Sequence, residues 1–353
     1  MGTFIKTFTK IFAFLSAISV FLILLSLVIN FFPFNQNNKY FTNSIGDENS
    51  PNKIAIIKLN GPILNEPSSN LDINLFSNIE IIYTAHIKKV LTELESEKIK
   101  GLIISINSPG GSVSASYNLY NLFNDFKNQN NIKVFFHTNE LVASGAYWTA
   151  LSGNKIYANY GSLIGSIGVK GPDWIYFDKP MSISTGLLGS SIETKNGIKK
   201  FNNIAGNSKD LFDPFRPPTN NEINDLQIAV QNIYNDFVNV VSKNRKIENE
   251  FIINEIGAMI YDTKTAKEKF LIDDISSLDS VIKKMAENLQ LKNYQIIKKK
   301  GYKLNILQKL IHTNFFSKKY IDYIYNMQNQ DICNISKFGL SLMITQNKLV
   351  SNC

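Results

Sequence analysis

The sequence predicts an α/β protein with an N-terminal transmembrane helix and a basic, helical C-terminal tail. Three observations support this prediction. A stretch without charged residues follows the N-terminus, short apolar strands alternate with helices through the middle of the chain, and lysines cluster towards the C-terminus. Strands separated by helices of about 10 to 20 residues indicate parallel βαβ units. We therefore expect the 353 residues to form one catalytic or binding body with attachments at both ends.

The N-terminal anchor is predicted from the run between Lys10 and Lys39, which contains no charged residue. About 20 helical residues cross a hydrocarbon core of about 30 Å, and the apolar part of this run is longer than that. Because it lacks a convincing small-x-small cleavage site, we expect residues 1–34 to be an uncleaved anchor. Lys6 precedes the run, which predicts a cytoplasmic N-terminus and places the remaining chain across the membrane.

The middle of the chain divides into a linker and a folded body. Residues 35–52 are polar and rich in asparagine, which is typical of a linker. We expect the folded body to span residues 53–282. Apolar runs predict buried parallel strands, and apolar residues at helical spacing predict helices. The predicted strands are 54–59, 101–107 and 133–137, and the predicted helices are 79–98, 112–126 and 223–241.

The last segment, residues 283–353, is predicted to be a basic extension of unknown role. Between Lys283 and Tyr320 there are ten lysines and one acidic residue, whereas the whole chain has a net charge of +8. The rest of the chain is thus close to neutral. Basic stretches with interleaved apolar residues bind anionic lipid or nucleic acid. Since the predicted location is across the membrane, we expect a membrane surface or a solvated helix, and no nucleic acid.

Two turns carry the candidate chemistry. The first is Asn107–Ser112, in which Pro109, Gly110 and Gly111 follow a predicted strand and can point successive backbone N–H groups into one concavity. The second places Ser144 between small residues after the strand 133–137, as an approachable nucleophile requires. Each turn alone is more typical of ordinary packing. Open parallel sheets, however, collect ligands at the carboxyl ends of their strands, so the pair indicates a site.

A nucleophilic serine needs a base, and histidines are scarce. The chain has three, His86, His137 and His312, and none has a spacing from Ser144 that identifies it as the base. A lysine can serve instead where burial keeps its amine neutral. With three histidines and two cysteines, zinc clusters and a disulfide framework are disfavoured, and we expect neither a metal nor an organic cofactor.

The motifs together resemble the signal peptide peptidase A family of serine proteases in its short form. The resemblance covers about residues 53–280. It rests on the ordered set Asn107-Ser108-Pro109-Gly110-Gly111, Val142-Ala143-Ser144-Gly145-Ala146-Tyr147, Gly165-Ser166-Ile167-Gly168-Val169, Lys209-Asp210, Pro214-Phe215-Arg216 and Ala258-Met259-Ile260-Tyr261.

The resemblance implies a Clp/crotonase-like fold of repeated ββα units and a Ser-Lys dyad. Ser144 is then the nucleophile, Lys209 the general base and Ser166 the residue that orients the base. The oxyanion hole is formed by N–H groups of the turns, from Gly110, Gly111 and Gly145. The resemblance also implies a homo-oligomeric ring whose active sites are shared between subunits.

Under this interpretation the protein is a single-pass protein of the bacterial inner membrane, with its protease domain on the periplasmic side, and degrades remnant signal peptides and other membrane-associated peptides. The base is the most open assignment. Lys195, Lys199 and Lys200 lie close to Lys209, and residues 172–207 form an insertion relative to the family pattern.

Three alternatives remain. A Clp-like Ser-His-Asp hydrolase would use a histidine after the serine, and none occurs between Ser144 and His312. Acyl-CoA chemistry on the crotonase fold would need neither this serine nor the anchor. The third alternative is a catalytically silent, membrane-anchored scaffold.

Overall fold

The computed structural model describes residues 2–31, 41–66, 80–178, 182–186, 189–193, 203–299 and 341–343. The chain divides into two compact units, Met1–Thr42 and Asn43–Cys353. The first contains helix α1 (Gly2–Phe31), in which the side chains of residues 2–21 are exposed to solvent. Within the described residues, the stretch Gly2–Phe21 is long and apolar enough to cross a membrane. Its length and composition are those expected of the predicted anchor.

The second unit alternates strands and helices. Its α-helices are α2 (Thr84–Glu95), α3 (Val113–Gln129), α4 (Gly145–Ala150), α5 (Asn220–Arg245), α6 (Asn249–Phe251), α7 (Thr263–Glu268) and α8 (Leu278–Asn288), and a π-helical turn, Ile252–Ile256, follows α6. Its strands are β1 (Phe41–Gly46), β2 (Lys53–Asn60), β3 (Ile63–Leu64), β4 (Ile82–Tyr83), β5 (Gly101–Asn107), β6 (Gly110–Ser112), β7 (Lys133–Thr138), β8 (Leu141–Ala143), β9 (Lys155–Ala158), β10 (Leu163–Gly165), β11 (Ser182–Gly186), β12 (Gly189–Glu193), β13 (Ile260–Asp262), β14 (Asp274–Ile275), β15 (Gln295–Lys299) and β16 (Ser341–Met343).

A seven-stranded sheet forms the centre of this unit, in the order β1-β15-β2-β5-β7-β9-β14. The strands from β15 to β14 pair in parallel. In β5 the first six of its seven residues are buried, because the sheet is covered on both faces. This explains why the apolar run 101–107 can be read directly as a strand.

Short second strands follow the long strands of the central sheet. Strand β6 follows β5 and precedes α3, and β8 follows β7 and precedes α4. These second strands form two smaller sheets, ordered β16-β6-β3-β4 and β13-β10-β8. The repeated ββα units confirm the predicted Clp/crotonase-like fold class. They also bring the ends of β6, β8 and β10 to one region of the molecule.

Both ends of the folded body extend further than the sequence predicts. The predicted linker 35–52 includes β1, which lies at the edge of the central sheet beside β15. The predicted start of the extension at Lys283 lies inside α8, whose buried side chains include Val281 and Met285. Strand β15 then pairs with β2. The lysines of this segment accompany apolar residues that belong to the core, so the described body continues to Lys299.

Two other predicted features lie partly outside the described residues. Of the insertion 172–207, the antiparallel strands β11 and β12 form a hairpin. The tail beyond Lys299 is described only at β16, so His312, Cys333 and Cys353 lie outside the described residues.

Candidate active site

Ser144 occupies a strained turn between β8 and α4. Its φ of 55° and ψ of −122° lie in a backbone region that residues other than glycine rarely adopt. Two backbone hydrogen bonds hold the turn: the Ser144 N–H donates to the carbonyl of Gly165 at 2.8 Å, and the Trp148 N–H donates to the carbonyl of Ser144 at 3.0 Å. A serine on a sharp, strained strand-to-helix turn is the geometry of a nucleophile elbow.

The hydroxyl of Ser144 makes no hydrogen bond to any described residue, although the residue is only 2% exposed. It is followed by Gly145 and Ala146, whose small size leaves space beside the hydroxyl. As the first residue of α4, Gly145 has no intrahelical acceptor for its N–H. Among the described residues, the turn therefore presents a hydroxyl without a hydrogen-bond partner next to a backbone donor without one.

The glycine turn at 108–111 depends on its two glycines in different ways. Gly110 has a φ of +99°, which is accessible to glycine at little cost, and its N–H donates to Ser108 Oγ at 3.1 Å. Gly111 packs directly against the backbone of Ile63, where a β-carbon would overlap the peptide group. The Gly-Gly pair is thus required both by the backbone conformation and by the close approach of β3.

Backbone hydrogen bonds join the glycine turn to the strand that leads into Ser144. The Ser108 N–H donates to the carbonyl of Leu141 at 2.8 Å, and the Ala143 N–H donates to the carbonyl of Ser108 at 3.2 Å. The turn and the elbow are consequently neighbours within one rigid, hydrogen-bonded unit.

Ser166 follows β10 in the same way that Ser144 follows β8. The two strands pair in parallel with Gly165 opposite Ala143, so the two serines come next at adjacent strand ends. Ser166 is half-buried, has a φ of 55°, and donates its N–H to the carbonyl of Met259 at 2.7 Å. The structure thus brings the predicted residues Gly110, Gly111, Ser144, Gly145 and Ser166 to one edge of the fold.

Lys209 stands apart from this group. It lies in an exposed turn, its N–H donates to the carbonyl of Gly206 at 3.4 Å, and its amine has no hydrogen bond or ion pair with a described residue, Ser144 and Ser166 included. Lys195, Lys199 and Lys200 lie outside the described residues. Within the described part of one chain, the predicted base and nucleophile are not in contact.

An arginine holds the turn that carries Lys209. Arg216 donates to both carboxylate oxygens of Asp210, at 2.8 and 2.7 Å, and to both carboxylate oxygens of Glu222, at 2.9 and 2.7 Å. We call this set of three residues the Arg216 clamp. The hydrogen bonds from Arg216 hold the pKa of Asp210 and the pKa of Glu222 below their usual ranges. All three groups therefore stay charged at neutral pH.

Two further contacts fasten the clamp to the folded body. The Glu222 carboxylate also accepts a hydrogen bond from the Thr219 N–H, and the two residues form a capping box at the start of α5. The guanidinium of Arg216 lies over the ring of Trp174, 5.2 Å from its centroid. Sequence reasoning missed the clamp, although the Thr219-x-x-Glu222 spacing before an amphipathic run is a signature of such a cap.

Comparison with known proteins shows which family the chain resembles. Residues 126–292 match the family model for peptidase family S49, and residues 63–156 match the model for Clp protease. The chain is similar to the proteases of peptidase family S49. The match confirms the resemblance carried by the sequence motifs, and the S49 region includes Ser144, Ser166 and Lys209.

The chain is also similar to curated proteins. It is 30% identical over 209 residues to "Putative protease MJ0651" of Methanocaldococcus jannaschii, which covers 59% of this chain and 62% of that protein. It is 27% identical over 267 residues to "Putative signal peptide peptidase SppA" of Enterococcus faecium, which covers 74% and 72% respectively. The chain thus spans less than two thirds of the archaeal relative.

One similar solved structure is a mutant of ClpP1 from Listeria monocytogenes. It is 14% identical, with a TM-score of 0.39, and the alignment covers 64% of this chain and 94% of that one.

The two histidines among the described residues make packing and hydrogen-bond contacts away from Ser144. His137 is fully buried, its Nε2 lies 3.1 Å from the carbonyl oxygen of Ser276, and burial lowers its pKa. His86 packs edge-on against Tyr83, with 5.4 Å between ring centroids. Neither hydrogen-bonds to Ser144. The described residues also contain no group of three or more His, Cys, Asp and Glu side chains suited to a metal ion.

Proposed function

We propose that this protein is a membrane-anchored serine endopeptidase that hydrolyses remnant signal peptides and other membrane-associated peptides. The observation that carries the proposal is the strained turn at Ser144, whose hydroxyl is unpaired among the described residues, in a chain that matches the model for peptidase family S49. The name of the Enterococcus relative, a putative signal peptide peptidase, supports the substrate class. The apolar helix α1 supports membrane anchoring, because it would hold the site beside such substrates.

In the proposed acylation step, Ser144 Oγ attacks the scissile carbonyl carbon and the Lys209 amine accepts the hydroxyl proton. The oxyanion that forms is stabilised by backbone N–H groups, for which Gly111 and Gly145 are the best candidates. The N–H of Gly110 already donates to Ser108 Oγ, so we assign it to shaping the turn.

The remaining steps return the enzyme to its starting state. As the tetrahedral intermediate collapses, the C–N bond breaks and the leaving amine takes the proton from the Lys209 ammonium. A water molecule gives a proton to the same amine and attacks the ester carbon. As this second tetrahedral intermediate collapses, the bond between the acyl carbon and Ser144 Oγ breaks, Oγ takes the proton back from the Lys209 ammonium, and the carboxylic acid product leaves and ionises in water. Ser166 orients the amine by accepting a hydrogen bond. Activity should increase with pH, because only the neutral amine accepts a proton.

We propose that Lys209 acts on the Ser144 of a neighbouring subunit in a homo-oligomeric ring. This assignment accounts for an exposed amine with no partner among the described residues of its own chain. It also predicts that an isolated monomer is inactive. The ring would be anchored in the bacterial inner membrane through α1, with Lys6 and Lys10 in the cytoplasm and the protease domain on the periplasmic side.

The test is hydrolysis of an apolar peptide in detergent by the wild type, Ser144→Ala and Lys209→Ala. Both substitutions should abolish turnover, whereas Lys195→Ala, Lys199→Ala and Lys200→Ala should leave it unchanged. If Ser144→Ala kept full activity, the protease proposal would be wrong. If only Lys209→Ala were active, the base would be one of the other three lysines.

Subunit sharing has a sharper test in mixed oligomers. Ser144→Ala and Lys209→Ala chains are dissociated together, reassembled and assayed. Sites that combine an intact Ser144 with an intact Lys209 should form and restore part of the activity, while each variant reassembled alone stays inactive. Labelling of Ser144 by a lipophilic serine-reactive probe separates an enzyme from a silent scaffold, since a well-folded scaffold would remain unlabelled.

A further inference from the structure

The side-chain oxygen of Asn107, the last residue of β5, accepts three hydrogen bonds from one short segment of the chain. That segment is residues 138–140, which we call the 138–140 loop, and it joins the end of β7 to β8. Asn107 Oδ1 accepts from the Thr138 hydroxyl at 2.9 Å, and from the N–H groups of Asn139 and Glu140, each at 3.1 Å. Two of these donors are backbone N–H groups, which only an acceptor satisfies, so the amide oxygen and not the amide nitrogen faces the loop.

These hydrogen bonds join the two elements that carry the proposed oxyanion donors. Asn107 leads directly into the glycine turn, which contains Gly111, and the 138–140 loop leads through β8 towards Gly145. Because the two N–H groups belong to different elements, their spacing depends on what holds those elements together. Backbone hydrogen bonds between Ser108 and β8 form one link, and the Asn107 side chain forms a second.

The same loop also holds the strand that leads to Ser166. The Glu140 carbonyl accepts a hydrogen bond from the Leu163 N–H at 2.7 Å, where β10 begins. Strands β8 and β10 pair in parallel, and Ser144 and Ser166 follow their ends. The loop that Asn107 holds is therefore continuous with one of these strands and hydrogen-bonded to the other.

We propose that Asn107 is a positioning residue for peptide hydrolysis, which fixes the N–H of Gly111 relative to the N–H of Gly145. The inference rests on the proposed function, because it adds a residue to the same site. Asn107 acts through the 138–140 loop and not on the substrate. An oxyanion donor is effective only at about 2.7 to 3.1 Å from the oxyanion, so a relative shift of about 1 Å removes one donor from range.

The test uses the fact that Asn107 is the acceptor in all three hydrogen bonds. In the full-length protein, Asn107→Asp keeps an acceptor oxygen at this place, whereas Asn107→Leu has a similar size and no acceptor. Asn107→Leu should lower kcat for an apolar peptide by about a hundredfold, with KM changed by less than about threefold. Asn107→Asp should keep kcat within about tenfold of the wild type, because the three hydrogen bonds are retained while a negative charge is added near the oxyanion.

The matched control is Asn154→Leu. Asn154 Oδ1 also accepts a backbone hydrogen bond from the central sheet, from the Val134 N–H at 2.8 Å, but this contact lies at the opposite end of β7 from Thr138. Asn154→Leu should lower the temperature of thermal unfolding and leave kcat at the wild-type value. Thr138→Val removes only one of the three hydrogen bonds and guards against misfolding of Asn107→Leu, and it should lower kcat by about threefold to tenfold.

Two readouts separate positioning from a general loss of structure. Affinity for a peptidyl boronate, which mimics the tetrahedral intermediate, should weaken in parallel with kcat/KM across the variants. Amide hydrogen exchange at Asn139 and Glu140 should be faster in Asn107→Leu than in the wild type and in Asn154→Leu, and Asn107→Asp should restore the protection. Equal exchange in all four proteins would show that Asn107 does not hold the loop in solution, which would overturn the inference.

The kinetic outcomes distinguish this inference from the protease proposal. If Asn107→Leu and Thr138→Val kept the wild-type kcat, or if Asn154→Leu lowered kcat as much as Asn107→Leu, the inference would be wrong and the protease proposal would stand. An Asn107→Asp protein as slow as Asn107→Leu would also overturn it, because an acceptor at this position would then not support turnover. If the wild type itself neither hydrolysed the peptide nor bound the boronate, the protease proposal would fail, and the inference with it.

Discussion

Arg216 holds Asp210 through two parallel hydrogen bonds, from Nε to Oδ2 at 2.8 Å and from Nη2 to Oδ1 at 2.7 Å, and Asp210 is the residue next to Lys209. The same guanidinium binds Glu222 at the start of α5. The turn that carries the proposed base is therefore tied to the longest helix of the folded body. The Lys209 amine has no hydrogen bond or ion pair with a described residue, so the clamp and the hydrogen bond from the Lys209 N–H to the carbonyl of Gly206 are what set its backbone position.

Arg216→Lys should reduce peptidase activity through misplacement of Lys209. A lysine cannot reproduce the planar fork that grips two carboxylates at once. Since small displacements of a reacting group are costly, we expect kcat to fall by about tenfold to a hundredfold while KM changes little. Steady-state kinetics on an apolar peptide measure both parameters.

The matched control for that variant is Arg245→Lys. Arg245 is also paired with a carboxylate, Asp273 at 2.8 Å, but this pair lies at the other end of α5. If Arg245→Lys lowered kcat as much as Arg216→Lys, general destabilisation of α5 would explain both, and a positioning role for the clamp would be contradicted.

The clamp should also be insensitive to mild acid. Hydrogen bonds from Arg216 lower the pKa of Asp210 and the pKa of Glu222 in the folded state. A lowered carboxyl pKa contributes stability above the unfolded value of about 4 and loses that contribution as the pH falls through the folded value. The clamp is thus intact from pH 8 to pH 5 and releases only in stronger acid.

Trp174 reports on this transition because Arg216 lies over its ring. The chain has two tryptophans, so a Trp148→Phe background isolates the signal. Trp174 fluorescence should be constant from pH 8 to pH 5 and change only below about pH 4. Asp210→Asn in the same background should show the altered signal at neutral pH. A transition between pH 5 and pH 7 would contradict the assignment.

Gly165→Ala should displace the backbone of Ser144 and of Ser166. Gly165 has a φ of +128°, a β-carbon there would lie 2.5 Å from the carbonyl oxygen of Met259, and its own carbonyl accepts the Ser144 N–H. The strain and overlap together should lower the free energy of unfolding by about 3 kcal/mol. Chemical denaturation measures this loss.

Gly161→Ala separates the contribution of backbone strain from that of the overlap with Met259. Gly161 also has a positive φ, +86°, but a β-carbon there meets nothing within 4 Å. It should cost only about 1 to 2 kcal/mol, from backbone strain alone. Equal losses in both variants would mean that the contact with Met259 is unimportant.

The parts of the fold that the sequence predicts are those determined by residues close together along the chain. The run 101–107 is apolar throughout because β5 is buried on both faces, and Ser144 is flanked by small residues because the elbow requires them. Such features are encoded by neighbours along the chain. By contrast, β1 is polar and becomes a strand only beside β15, more than 240 residues away (Ser44 to Ile296, sequence separation 252).

Long-range pairing also explains what the sequence does not predict about the site. The Arg216 clamp depends on three side chains from a turn and a helix start, and no pattern of apolar residues marks it. The pairing of β16 with β6 joins residues about 230 positions apart (Leu342 with Gly111) and occurs at backbone atoms, which every residue type carries. Lys209 can be proposed as the base only through the family resemblance, since no described residue of its own chain pairs with the amine.

The backbone strain at Ser144 should lower the stability of the folded protein. Glycine adopts the φ of 55° and ψ of −122° freely, so Ser144→Gly should be about 1 kcal/mol more stable than Ser144→Ala, although both are inactive. Ser162 is the control, because it is buried but does not have a positive φ. At this position we expect the opposite order, with Ser162→Gly less stable than Ser162→Ala. Thermal unfolding of the four variants measures both differences. If Ser144→Gly were no more stable than Ser144→Ala, the turn would be unstrained and the elbow geometry would lose its main support.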